Sequence, residues 1–163
     1  MREVGQAQRA VSELRPASVA DLETVSFCGR CGARAEVVPE SRVCESCNMG
    51  LLLEARAKQV PPEGGAFLVI DDSMSVCGVS EAAEQILATT ETDAVNRHLT
   101  EVLVPADVEL AGPANLAVAI TWAARGDDGS RRVFVRPANT FGLRMPARIS
   151  SCGPPKAALL VFE

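Results

Sequence analysis

A chain of 163 residues suits one ordinary domain with a small appendage. Hydrophobic residues make up 47% and charged residues 23%, values that exclude a disordered chain and promise a packed core. The net charge of −5, the 4% aromatic content and the absence of Tyr speak against a surface built for phosphates or for stacking on single-stranded nucleic acid.

Averaging hides no basic module. Residues 28–60 hold five basic groups (Arg30, Arg34, Arg42, Arg56, Lys58) against four acidic ones (Glu36, Glu40, Glu45, Glu54), and residues 64–163 hold eight against twelve. The opening "MREVGQAQRAVSEL" carries charges throughout and lacks the apolar core of a signal peptide. No apolar run approaches the roughly 20 residues that span a bilayer. A cytoplasmic protein without a membrane segment is the expectation, and in such a reducing compartment disulfides are disfavoured.

Residues 1–27 read as a helical segment in two pieces. Val4, Ala7, Val11 and Leu14 share one face until Pro16 interrupts. "SVADLETV" follows, with Ser18 as a candidate N-cap and Asp21 three residues later. The apolar stripe has to lie on a neighbour, either in the same chain or in a second copy, which would make a homodimer.

Next comes "FCGRCGARAEVVPESRVCESC", with Cys28 and Cys31 in one C-x-x-C pair, Cys44 and Cys47 in another, and twelve residues between. A C-x-x-C turn aims two thiolates at one ion, and a hairpin brings the second turn opposite, completing the tetrahedral sulfur shell that zinc accepts. Gly29 and Gly32 give the first turn backbone freedom, and Asn48 tolerates the left-handed conformation in the second. "AEVVPESRV" can supply two short strands, so residues 28–50 read as a zinc ribbon. Paired disulfides, a redox C-x-x-C and an iron–sulfur centre are the competing readings; the redox one needs a βαβ pattern that is missing. All four ligands being cysteine, no position is left for water, which suits folding better than catalysis. So small a unit needs the ion to fold, since zinc contributes about 10–16 kcal/mol in zinc-finger peptides.

"NMGLLLEARAKQ" leads out of the ribbon as a short strand or helix, and residues 51–63 read as a linker whose clearest part is "VPPEGG". "AFLVID" is then a buried strand, "DS" a turn and "MSVCGVS" a second strand. Ser80 can cap the helix "EAAEQILA", with Glu81 and Glu84 near its positive end. "DAVNRHLTEVLV" puts Val95, Leu99, Val102 and Leu103 on one face of a further helix. Gly112–Pro113 opens the helix "ANLAVAITWAAR", which Gly126 closes before the turn "GDDG". Period-two alternation marks "RRVFVRP" and "GLRMPARISS" as strands; "CGPP" turns the chain into the last strand, "KAALLVFE". The fold class is α+β, an antiparallel sheet with helices on one face.

Residues 64–163 resemble the PAS domain. The likeness rests on "GAFLVIDDSMSVCGVSEAAEQIL", a strand, an Asp-containing turn, a second strand and a helix opening on "SEAA", where Ser80 stands in the place of the family's usual Asn. "HLTEVLVPADVE" is similar to the segment that follows, and "GDDGSRRVFVRP" to the hairpin leading into the final three strands. The resemblance implies a five-stranded antiparallel sheet, a small cavity between helices and sheet, frequent dimerisation, and sensory or regulatory rather than catalytic work, as in small bacterial regulators. Its cavity candidates are Leu116, Ile120, Trp122, Phe134, Met145 and Ile149, which equally suit plain core. The cavity ligand is unknown. His98 is the only histidine and falls in "NRHLTE", the wrong place for a haem ligand, and the flavin-reactive cysteine motif is absent. Cys77 reads as a small core residue, and Cys152, in a turn, as a thiol open to reaction.

Two functions follow. One is a non-enzymatic sensor that binds a small ligand, dimerises through the N-terminal helices and the PAS-like domain, and passes its signal to a protein partner, with zinc structural. The alternative is a nucleic-acid-associated transcriptional regulator using the ribbon, which would need Arg30, Arg34 and Arg42 on one face and is opposed by the charge. Enzyme activity is not expected, because the chain has no recognisable triad and no phosphate-binding glycine loop.

Overall fold

A computed structural model describes residues 18–107 and 115–163. The stripe at Val4, Ala7, Val11 and Leu14 and the helix start at Gly112–Pro113 lie outside those residues. Within them the chain forms a three-stranded and a six-stranded antiparallel sheet, stacked with a layer of helices.

The smaller sheet contains β1 (Thr24–Cys28), β2 (Arg34–Ala35) and β3 (Leu52–Arg56) in the order β2-β1-β3. This revises two expectations. "SVADLETV" makes only a 3₁₀ turn at Val19–Leu22 before entering β1. The 51–63 stretch, expected as a linker, holds β3, the strand that "NMGLLLEARAKQ" allowed, and the buried Gln59 and Val60. Leu52, Leu53 and Ala55 explain the strand: apolar residues on both sides of it meet separate cores.

The larger sheet holds β4 (Phe67–Ile70), β5 (Val76–Val79), β6 (Leu103–Pro105), β7 (Arg131–Pro137), β8 (Met145–Cys152) and β9 (Ala157–Phe162). Its order is β5-β4-β9-β8-β7-β6, so the five expected strands have gained a sixth, β6. That strand comes from the stretch expected to be one long helix. Instead α2 (Glu91–Ala94) stops at Val95, Asn96 takes φ +67°, and a 3₁₀ turn at Leu99–Glu101 leads into β6. The apolar spacing of Val95, Leu99, Val102 and Leu103 is met by a bent path as well as by a helix.

Helices α1 (Glu81–Leu87) and α3 (Leu116–Ala124) lie on one face with α2. Ser80 caps α1 as its sequence suggests: its Oγ accepts from Ala83 N at 3.2 Å and from Phe67 N at 2.9 Å, tying helix to strand. Gly126, at φ +95°, ends α3.

Period two divides the central strands between two cores. Leu68 and Ile70 of β4 and Leu160 of β9 face the helices and pack with Val79, Leu99, Ile120 and Ile149. Phe67 and Val69 of β4 and Leu159 and Val161 of β9 face the other way and pack with Phe27, Leu53 and Ala55 of the small sheet and with Val60 just beyond it. Phe27 and Phe67 meet edge to face, with centroids 6.0 Å apart and planes at 77°. Main-chain bonds join the layers too, Glu54 N to Gly153 O at 2.5 Å and Gly153 N to Glu54 O at 3.0 Å. The near-continuous apolar runs of β4 and β9 are thus strands buried on both faces.

Candidate metal centre

The four cysteines converge where the small sheet ends. Cys28 closes β1, Cys31 follows one turn later, and Cys44 and Cys47 come from the loop that returns through Gly50 to β3. The two turns repeat one geometry. Gly32 N donates to Cys28 O at 3.0 Å, and Asn48 N to Cys44 O at 2.8 Å. Gly32 (φ +74°) and Asn48 (φ +54°) occupy matching left-handed positions, as their residue types suggest. The expected second pair of strands is shorter than "AEVVPESRV" promises: β2 has two residues, and Val43 makes a single bridge to Leu51.

The four Sγ atoms all lie within 4.8 Å of one another, with Cys28–Cys47 at 3.7 Å and Cys31–Cys44 at 3.8 Å. Zn–S bonds of about 2.3 Å place the corners of a regular tetrahedron about 3.8 Å apart. The sulfurs therefore fit one tetrahedral ion. Backbone N–H groups point at the sulfurs, from Arg30 to Cys28 at 3.4 Å and from Gly50 to Cys47 at 3.4 Å. Burial pushes the Cys28 thiol up to about 12, against the pull of the Cys31 and Arg30 N–H groups. Burial opposes ionisation at Cys47 as well, yet the N–H groups of Gly50 and Met49 and the Cys28 and Cys31 thiols bring it down to about 7. A divalent ion would remove the difference by replacing the protons of all four.

Gly50 belongs to this site although only its neighbours carry the chemistry. A Cβ there would stand 2.2 Å from Cys28 Sγ and 2.8 Å from Arg30 Cβ, so the return loop passes the sulfurs only as glycine. The "MGL" after the last cysteine was the available signal. Arg30, at the tip of the first turn, forms an ion pair with Glu91 of α2 and so ties the metal turn to the helical layer.

The other sequence candidates scatter. Leu116, Ile120 and Ile149 are buried in the helix-side core, and Met145 packs against it. Trp122 is 42% exposed beneath the Arg131 guanidinium, 4.6 Å from its ring centroid. Phe134 lies under Arg144, at 3.4 Å. His98 is exposed and caps the 3₁₀ turn, with Nδ1 2.7 Å from Thr100 Oγ1. Cys77 is exposed rather than core, because β5 bulges: Val69 pairs with Gly78 and Ile70 with Val76, leaving Cys77 extra and turned outward. Cys152 is buried, and burial pushes its thiol up to about 12, so the turn leaves it unreactive.

No protein-family model and no curated protein matches the chain. Among solved structures, the PAS domain of nitrogen regulation protein NR(II) from Vibrio parahaemolyticus is similar over 60% of this chain and 86% of that one, with 17% identity and a TM-score of 0.45. In its element order the six-stranded unit is PAS-like, and the small sheet beside it carries a zinc-ribbon-like four-cysteine motif. Among the described residues no helix is long and apolar enough to cross a membrane.

Proposed function

We propose that this chain is a non-enzymatic, cytoplasmic sensory or regulatory protein. Its PAS-like domain binds a small ligand or pairs with a second copy, and it reports to a partner protein, while a structural zinc ion holds the ribbon. One observation carries the reading: the four-sulfur site is closed, and the sheet that frames it shares a core with the PAS-like sheet through Phe27, Leu53 and Ala55. The ribbon is therefore a cover for the sensing sheet rather than a free appendage, and a change on either side has a packed route to the other.

Native mass spectrometry of protein purified without added metal tests this. One zinc per chain, accompanied by a small-molecule mass lost on denaturation or by a dimer, is the expected result. Four-cysteine chains without metal and without either companion would overturn it.

The nucleic-acid reading has little to work with. Arg30 is engaged by Glu91, and Arg42 donates to Leu52 O at 3.0 Å and lies 3.6 Å from Glu54. Two of the three ribbon arginines are thus turned onto the protein. Retention on DNA or RNA at low salt that falls steeply with added salt would revive that reading.

A further inference from the structure

We propose that the crevice between the metal turns and the edge of the six-stranded sheet binds a small, uncharged, mostly apolar molecule. A cavity of about 370 Å³ lies there, within the ~300–1,000 Å³ of small-molecule sites. The inference rests on the sensory reading above and moves the ligand from the helix side of the sheet to the ribbon side.

Both layers supply apolar wall. Met49, Leu51 and Leu53 come from the ribbon, and Val69 and Ala157 from the sheet. Met49 and Leu51 are 69% and 60% exposed, large apolar side chains left at the mouth of an apolar space. On the floor Gly78 comes close to the ribbon, where a Cβ would stand 3.3 Å from Gly29 O.

Charge decides the ligand class. The lining holds Arg30, Glu91, Asp71 and Lys156, two of each sign. Arg30 and Glu91 neutralise each other. Asp71 Oδ1 accepts from Ser73 N at 2.9 Å, Ser73 Oγ at 2.7 Å and Ser75 N at 2.9 Å. The Lys156 ammonium lies over Gly126 at the C-terminal end of α3, where the helix dipole favours it. A charged ligand would find no excess of counter-charge here and would still lose hydration, whereas an uncharged apolar one loses only water contact. Cys77, at the β5 bulge, lines the space as well, its thiol donating to Ser75 O at 3.6 Å. Burial first, and then the Asp71 carboxylate, raise this thiol, which slows its alkylation without preventing it, since the residue is exposed.

The back wall includes Gly29, Arg30 and Gly50, the same backbone whose Arg30 and Gly50 N–H groups point at Cys28 and Cys47. A filled cavity braces both turns. Ligand binding and metal retention are therefore linked, each strengthening the other by the same factor.

The test titrates the zinc-loaded full chain with Nile red, a neutral apolar dye. Expected are saturable one-to-one binding with blue-shifted emission, protection of Cys77 from N-ethylmaleimide, and zinc transfer to a chelator slowed about threefold or more by linkage. Cys77→Trp fills the space and should abolish binding. If that variant fails to hold zinc, Met49→Trp fills it from the opposite wall. Val37→Ser, at an 81% exposed residue that does not line the cavity, should bind as the native chain does. Binding that survives in zinc-loaded filled variants, or a zinc-loaded native chain that takes up no dye, overturns the proposal. The second outcome would leave the sensory reading to its own mass-spectrometric test, and dye bound at this site in a chain with no natural ligand or dimer would support the site while that reading falls.

Discussion

The two faces of the six-stranded sheet are covered in different ways by one chain. On the helix side, Leu99, Ile120 and Ile149 close over Leu68, Ile70 and Leu160, with aliphatic side chains on helices that cap themselves. On the other side, Phe27, Leu53 and Ala55 close over Phe67, Val69 and Leu159, but their strands are short and are joined at the far end by four sulfurs. One cover closes over a large aliphatic core, while the other has a smaller core and gathers at its edge four cysteines fit to hold a metal ion. The lesson is that apolar content does not distinguish a self-sufficient layer from a conditional one; the chemistry at the layer's edge does.

The sharpest way to break this comparison is to remove one sulfur. Cys44→Ser should lose the metal and destabilise the protein by about 5 kcal/mol or more, read by metal content and thermal unfolding. A native melting temperature without metal would make the two covers equivalent. A matched pair of core truncations comes next. Phe27→Ala should cost about 3–5 kcal/mol and Ile120→Ala about 2–5 kcal/mol. Chelator competition separates the two, because only Phe27→Ala should also loosen the metal. Gly50→Ala probes the edge without touching either core: with its Cβ 2.2 Å from Cys28 Sγ, metal affinity should fall about tenfold or more. Smallest is Arg30→Ala, which removes the half-buried pair with Glu91. Such pairs contribute about 1 kcal/mol or less, so a shift of a few degrees at most in the melting curve is expected.

The convergence of the four cysteines was legible because cysteine spacing states chemistry and geometry together, down to the left-handed positions at Gly32 and Asn48. The Ser80 cap was legible for the same reason, since a hydroxyl before "EAAE" has one local use. What stayed hidden depended on contacts distant in sequence. "AFLVI" and "AALLVF" announce strands buried on both faces, but nothing local says that Phe27 and Leu53 form the second cover. Cys77 escaped because cysteine's usual preference for the core says nothing of the extra residue in β5 that leaves it on the outer side. The misread helix after Ala94 fails at Asn96, a residue type that tolerates the left-handed turn but does not require it.

The borders of the large sheet have a consequence of their own. Beyond β5, Val76 N donates to Arg97 O and Asn96 N to Val76 O, both at 2.9 Å, and Ser75 bridges His98. At the opposite border β6 is three residues long and ends in Pro105, which has no N–H to offer. Among the described residues neither border presents a long row of open backbone groups, so templated strand addition there, the route to fibrils and to β-mediated capture of peptides, has little purchase. Any self-association through this sheet would then have to use side-chain surfaces, where single substitutions can tune or abolish it.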